Sequence, residues 1–358
     1  MNFPSVSSYV LLICFIVAML TYCEISIAQD TISKRSVLYV GLWPKISTNG
    51  KDAEYYTNNL SMNLIFAHST NERGLGINGL VTMIEKKASG VQISGLGLGV
   101  HKMSGISIAF FNSATIHNGL QISPFLNYSD SLSGIQFGCF NRTENLSGMQ
   151  AGFYNNTDSL TDIQFGYINQ SNTVSGLQIG IINLAEQNDY PIGLISIIKN
   201  GEKGVSLTFD EMRNFTVGFR SGGRVLFGII GFGYSFIEST PRFVLECGLG
   251  ARVNYSHRFR INTELAYSDI SKIYGNETPQ PEPPETKALT INRTSIRILP
   301  TFKIFNFNIF AGVSVNYMQS SHIENQNLFP HRYLWQNWTR DSLQQLNFGF
   351  MAGVQYCF

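Results

Sequence analysis

Alternation of apolar and polar residues dominates the last third of the chain and predicts long β-strands. Over residues 242–256, Phe243, Leu245, Cys247, Leu249, Ala251, Val253 and Tyr255 share one face. Arg242, Glu246, Gly248, Gly250, Arg252 and Asn254 lie mostly opposite, with Val244 as the exception. Residues 257–268 set Phe259, Ile261, Leu265 and Tyr267 against Arg258, Arg260, Asn262 and Glu264, and residues 306–317 repeat the scheme from Phe307 to Tyr317. Soluble strands average about 5–6 residues, whereas a strand that crosses a bilayer needs about 9–11, and these runs fit the longer class. Eight strands are predicted, starting near Val205, Asn214, Arg224, Arg242, His257, Ser295, Asn306 and Leu346. Eight suffice to close a small barrel filled with side chains. Arg220, Glu246, Arg252, Arg258, Arg260 and Glu264 are then expected to face inward as compensating charges.

The middle of the chain carries a repeat: Gly, apolar, Gln, apolar, Gly or Ser, two mostly apolar residues, Asn. Its clearest copies run from Gly134 through Gln136 to Asn141, from Gly148 through Gln150 to Asn155, and from Gly176 through Gln178 to Asn183. Asp162 takes the Gly place in the copy with Gln164 and Asn169. Successive starts lie 14 or 15 residues apart, which suits one strand and a turn but not a strand–helix unit. Two architectures fit. In a parallel solenoid the Asn residues stack as a ladder about 4.8 Å apart. There, a corner at the Ser returns Leu132, Leu146, Leu160 and Val174 to the core. In an antiparallel meander, Gln and Gly face a lumen. Passage without a linker into the later strands supports the meander, so both stay open.

The first thirty residues read as an address. Residues 9–20 are uncharged and apolar, too short a run for a comfortable helical span, and Ser26-Ile27-Ala28 precedes Gln29 as a signal-cleavage pattern. Cleavage between Ala28 and Gln29 is expected. Cys23 is preceded by the bulky Tyr22 and makes a poor lipid-attachment site. The chain is therefore divided into a signal peptide (1–28), N-terminal strands (29–89), the repeat region (90–203) and barrel strands (204–358).

Composition narrows the function. Charged residues make up 14% of the chain, aromatics 13%, and the formal net charge is +1. With no basic excess to neutralise phosphates, nucleic acid is not an expected partner. Five cysteines, two of them ahead of the cleavage point, do not make a disulfide scaffold. Gly74-Leu-Gly-Ile-Asn-Gly79 matches a dinucleotide-binding pattern, but no acidic residue stands about 20 positions on. Ser107 approximates a nucleophile elbow without an evident His and acid. Asp210 and Glu211 read as solvated turn carboxylates. No metal motif is present, so neither cofactor nor catalysis is expected. The loop at 319–342, with His322, His331, Trp335 and Trp338, is the best candidate for an external binding surface.

Two resemblances follow from these residues. The last strand, 346–358, is apolar at every even position and ends on Val354, Tyr356 and Phe358, which resembles the C-terminal assembly signal of bacterial outer-membrane barrels. The Gly-Leu-Gln-Ile-Gly repeats, with residues 43–50 ahead of them and 191–203 closing them, resemble the surface-repeat families of exported proteins in Bacteroidetes and Leptospira. That resemblance implies a location rather than an activity, and brings no catalytic residues. The expectation is an all-β chain: an antiparallel outer-membrane-type β-barrel plus 14-residue strand repeats, in the same sheet or as a β-solenoid. Its partners would be outer-membrane lipid and the barrel-assembly machinery. Its role would be structural, surface-interacting or pore-forming; a surface-displayed solenoid binding module and an outer-membrane enzyme are the alternatives.

Overall fold

The computed structural model describes residues 34–236, 242–272, 290–320, 329–339 and 342–358. The expected signal peptide with Ala28 and Gln29, residues 273–289, and His322 lie outside the described residues. The chain forms two compact units, residues 1–176 and 177–358.

The first unit is a parallel stack. Strand β1 (Lys34–Trp43) carries the short antiparallel β2 (Ile46–Ser47) and pairs in parallel with β3 (Tyr56–Asn63). Then come β4 (Phe66–Asn78), β5 (Val81–Ser94), β6 (Gly97–Ile108), β7 (Phe111–Leu160) and β8 (Ile163–Val174), each parallel to the one before. Gly97 pairs with Phe111 and Met149 with Ile163, so one repeat is one coil. The 50-residue β7 winds over itself, as the Asn127–Asn141 side-chain hydrogen bond across 14 residues shows. The repeats are therefore a solenoid, and the antiparallel meander does not form.

The inside of the coil is its polar face. Gln136, Gln150, Gln164, Asn141, Asn155 and Asn169 are buried, while Phe137 on the opposite face is 60% exposed. Leu132, Leu146 and Leu160 are buried on the same side as the glutamines and pack into one column with Val174. The expected corner at the Ser is not what buries them: a residue two before the Gly and one two after it share a face when the strand runs on.

Glycine lets it run on. Gly134 and Gly148 have φ of 144° and 133°, and a Cβ on Gly148 would sit 1.9 Å from the Gly134 carbonyl oxygen one coil below. Only Gly combines that torsion with that approach. Where Asp162 replaces it, β7 has already ended at Leu160 and β8 restarts at Ile163.

The second unit begins with β9 (Leu177–Gln187) and β10 (Ile195–Ile198), which pair in parallel. Eight antiparallel strands then close a barrel: β11 (Glu202–Asp210), β12 (Asn214–Gly222), β13 (Leu226–Ser235), β14 (Arg242–Asn254), β15 (Phe259–Lys272), β16 (Thr290–Ile304), β17 (Phe307–Ser320) and, beyond the four-residue β18 (Trp335–Trp338), β19 (Leu343–Cys357). Closure is made by β11 against β19, with Val205 opposite Tyr356 and Asp210 opposite Met351. Because the strands are staggered, β11 leaves the start of β19 unpaired, and β18 covers it, Trp335 opposite Leu346. The repeats do not join this sheet, so the wide, water-enclosing barrel does not arise.

Alternation assigns the two barrel faces as expected, apolar outward and polar inward, with two differences. Arg258 is exposed rather than inward, because the β14–β15 hairpin turns at Tyr255–Arg258, where Tyr255 and Ser256 N–H groups donate to the Phe259 carbonyl. Val244 faces inward with purpose: it joins Met212, Ile270, Ile291, Met318, Phe329 and Leu343 in an apolar plug at one end of the barrel.

Candidate functional site

The barrel wall is apolar outside. Leu207, Val217, Leu245, Leu265, Ile298, Val313 and Phe350, one from each of seven strands, are exposed on its outer face. Its interior holds charges that are almost wholly dehydrated, and such charges survive only when paired. Arg297, 1% exposed, binds Glu246 through Nη2–Oε2 at 2.5 Å and Nη1–Oε1 at 2.9 Å, and reaches Glu264 at 3.4 Å. Arg220 pairs with Glu264 from the other side at 3.0 and 3.3 Å and stacks 5.1 Å from the Phe310 ring. Ser268 donates to Glu246 at 3.1 Å. The lumen at this level is filled by side chains.

Asp210 and Glu211 are not the solvated pair expected from sequence. Asp210 is buried; its Oδ1 accepts the Met212 and Asn214 N–H groups, both at 3.0 Å, and its Oδ2 takes Arg293 Nη1 at 2.6 Å. A carboxylate that must cap a tight turn and neutralise a buried arginine is drawn inward. Glu211 accepts Asn316 Nδ2 at 2.7 Å and the Phe350 N–H at 3.0 Å.

The two barrel ends differ. At one, strands are joined by short turns at 223–225, 255–258 and 305–306, and the chain both enters (Glu202) and ends (Phe358). Residues of the β9–β10 segment pack there: the Val225 and Leu226 N–H groups donate to the Asp189 carbonyl at 3.1 Å, and Ser221 Oγ accepts the Ser196 N–H at 3.1 Å. This mouth contains a cleft of about 650 Å³ lined by Arg224, Arg252, Arg258, Arg260, Lys303 and Glu202 among others. Arg260 holds Glu202 at 2.7 and 2.8 Å, and Arg224 holds Asp189 through two bonds of 2.8 Å. Arg252 donates to the Gly223 carbonyl at 2.6 Å and lies 4.2 Å from the Phe227 ring centre. Sequence reasoning placed Arg252 and Arg260 inside but missed that turn residues bring further cations beside them.

At the other end, a cleft of about 1100 Å³ is lined by Met212, Phe329, His331, Tyr333 and Phe350 among others. It includes part of the loop proposed from sequence as a binding surface; Trp335 and Trp338 are exposed on β18, while His322 is outside the described residues.

The repeat positions make two hydrogen-bonded ladders. Gln136 donates to Gln121 at 2.8 Å, Gln150 to Gln136 at 2.9 Å and Gln164 to Gln150 at 2.8 Å. The asparagines donate in the opposite sense along the stack: Asn127 to Asn141 at 2.9 Å, Asn141 to Asn155 at 2.8 Å and Asn155 to Asn169 at 2.9 Å. Each of these asparagines also donates to a backbone carbonyl at 3.0 Å. Gln178 and Asn183 occupy the same places in the second unit, where Asn183 donates to Ile192 O at 3.0 Å and Gln178 Oε1 accepts Asn188 at 2.8 Å. From Gln121 to Asn169 the amides of the stack bond one another, so these polar residues are a core and not a ligand face.

Other flagged motifs find structural places. Gly74–Gly79 runs through β4 into a turn and another strand, with no helix to receive a pyrophosphate. Ser107 Oγ lies 3.0 Å from His117 Nε2, both buried, so this pair is closed to solvent. Val354 and Tyr356 lie on β19, Tyr356 packed 5.2 Å from Phe307, and the Phe358 ring lies 6.0 Å from Lys203 Nζ. Cys139, Cys247 and Cys357 are free thiols. Among the described residues no group of three or more His, Cys, Asp or Glu is placed to hold a metal ion.

No family model matches the chain, and no curated protein matches it in sequence. Among solved structures, the Yersinia pestis outer membrane protein Ail in phospholipid bilayer nanodiscs is similar over 44% of this chain and 99% of that one, at 12% identity and a TM-score of 0.25.

Proposed function

We propose that this is an integral outer-membrane protein of a bacterial cell envelope, with a structural or interaction role and a barrel that does not serve as an open pore. The observation that carries this reading is the inversion of the barrel: apolar residues around the outer wall, and the Arg220–Glu264–Arg297–Glu246 network inside. Water-exposed proteins rarely show contiguous apolar patches above a few hundred Å², whereas lipid requires such a belt. The C-terminal Val354, Tyr356 and Phe358 fit delivery by the barrel-assembly machinery, and an export signal at 1–28 fits the same route. Membership of the surface-repeat families remains part of this proposal.

Barrels of this type put short turns in the periplasm and long loops outside. On that rule the short-turn mouth faces the periplasm, and residues 188–201 stand at that side rather than on the cell surface. An epitope inserted after Tyr190 is then shielded in intact cells, and one after His331 is exposed. The opposite pattern reverses the orientation.

Membrane integration is tested by gel migration of the protein from a carbonate-washed outer-membrane fraction. A shift between unboiled and boiled samples is the expected result. Extraction by carbonate without a shift would overturn the reading.

A binding module in the repeats is a second reading, favoured by one observation. Phe137, Phe153, Phe165 and Tyr167 are exposed on the outer face of the coil, with the Phe153 and Tyr167 rings 5.3 Å apart and tilted by 36°. Its test is a Phe137→Ser/Phe165→Ser variant, which should keep the native circular dichroism spectrum while losing the apolar-dye binding of the parent. Unchanged dye binding would count against this face.

A further inference from the structure

The short-turn mouth has a charge pattern that neither fold closure nor a lipid-facing wall requires. We propose that it is a binding site for a phosphate-bearing anion, formed by Arg252, Arg258, Arg260 and Lys303. Arg220, Arg293 and Arg297 inside the barrel each pair with a carboxylate, whereas Arg252, Arg258 and Lys303 of this cleft pair with none among the described residues. Its single lining carboxylate, Glu202, already accepts two bonds from Arg260, one from Asn308 at 2.9 Å and one from the Cys357 thiol at 3.3 Å. Arg224, the fifth cation of the lining, is engaged by Asp189.

Two observations point to a ligand beyond the mere excess of charge. First, Arg252 and Arg260 are both more than nine-tenths buried, and the Nε–H of each has no hydrogen-bond partner. A buried guanidinium donor left empty is costly, and Arg252 has no carboxylate of its own within bonding distance among the described residues, only the Gly223 carbonyl and the Phe227 face. Second, Arg258 and Lys303 are fixed side by side, the Lys303 N–H donating to the Arg258 carbonyl at 2.8 Å, yet neither side chain makes an ion pair among the described residues. Two buried donors below and two free cations above form a cup open to solvent. Planar guanidinium groups bind phosphate through paired, charge-assisted hydrogen bonds, and the ammonium adds a point charge.

The rim suggests where such an anion comes from. Phe259 and Phe302 pack at 5.0 Å beside the cleft, and Phe305, in the next turn, is 91% exposed. Aromatic rings next to cations at the end of an apolar wall are placed as at a membrane–water boundary, where lipid headgroups present phosphate. A free phosphate compound in the aqueous phase shares the chemistry. The lipid source rests on the membrane reading above; the soluble source does not.

The test uses the full-length protein in neutral detergent. Retention of dioleoyl-phosphatidic acid is compared with that of dioleoylglycerol by native mass spectrometry, and binding of radiolabelled inorganic phosphate by equilibrium dialysis. The variant is Arg258→Ser/Lys303→Gln, which alters only exposed side chains. Wild type should favour phosphatidic acid over dioleoylglycerol by about tenfold or more, or bind inorganic phosphate, and the variant should lose that preference or binding by a similar factor. Lipid retention that phosphate does not displace assigns the headgroup; displacement assigns the soluble ion. No preference and no phosphate binding, or a variant equal to wild type, would overturn the site. Failure of the membrane reading shows separately, as absent heat-modifiability of the same wild-type sample.

Discussion

Arg297 grips Glu246 through two parallel hydrogen bonds, at 2.5 and 2.9 Å, in the interior of the barrel. A charge pair in that position holds the barrel only while both partners remain, because each alone is a dehydrated, uncompensated ion. Arg297→Met should therefore cost about 3–5 kcal/mol, whereas Arg297→Met/Glu246→Leu should recover much of the loss. Equilibrium unfolding by urea in detergent micelles measures both, and a double variant as unstable as the single one would contradict the pairing.

Gln150 tests the polar core of the repeats. It donates to Gln136 Oε1 and accepts from Gln164 Nε2, and those partners keep second bonds, from Thr143 at 2.9 Å and to Gln170 O at 3.2 Å. Gln150→Leu is close in size but breaks the ladder, and should cost roughly 2 kcal/mol despite being more apolar. Thermal unfolding of the variant would show a lowered midpoint; a raised one would mean the ladder is not a stabilising core.

The stacked glycines give a sharper contrast. Gly148→Ala places a Cβ against the Gly134 carbonyl at a φ of 133° and should destabilise by about 2 kcal/mol or more. Gly99→Ala meets nothing within 4 Å and has no such torsion, so its melting temperature should match or exceed the parent's.

His117 sets an acid limit on the repeats. Burial lowers its pKa from 6.5 to about 4, with Ser107 Oγ beside Nε2. The folded state thus binds the proton more weakly than the unfolded chain. The resulting stabilisation is fully present above pH 6.5 and is lost as pH falls to 4, up to roughly 3 kcal/mol. His117→Gln should flatten the dependence of stability on pH across that window, and an unchanged slope would contradict it.

Much of the barrel was legible because period-two alternation carries both strand and face: starts expected near Asn214, Arg242 and Asn306 are found at Asn214, Arg242 and Phe307. Arg258 was misplaced because alternation continues through a tight hairpin without a break in residue type. The solenoid was not decidable from pattern, since a parallel coil and an antiparallel hairpin repeat both alternate. Its orientation was hidden for a second reason: the interior of this coil is filled with Gln and Asn, so apolarity no longer marks the inside. The identical residues recurring at a fixed period were the available signal, because only stacked copies satisfy amides on each other. The cationic mouth was only partly legible: Arg252, Arg258 and Arg260 were expected as inward charges, but Lys303 joins them from the far side of a different turn, which alternation along one strand does not reveal.

The central claim is that the outer wall of the barrel lies in lipid. The most direct measurement is quenching of a bimane label on Leu265→Cys by lipids brominated near mid-chain, in a chain whose Cys139, Cys247 and Cys357 are replaced by alanine. Strong quenching at 265, with little for the same label on Arg332→Cys, is the predicted result. A heat-modifiable, folded barrel whose label at 265 is quenched by aqueous iodide and not by brominated lipid would contradict the account.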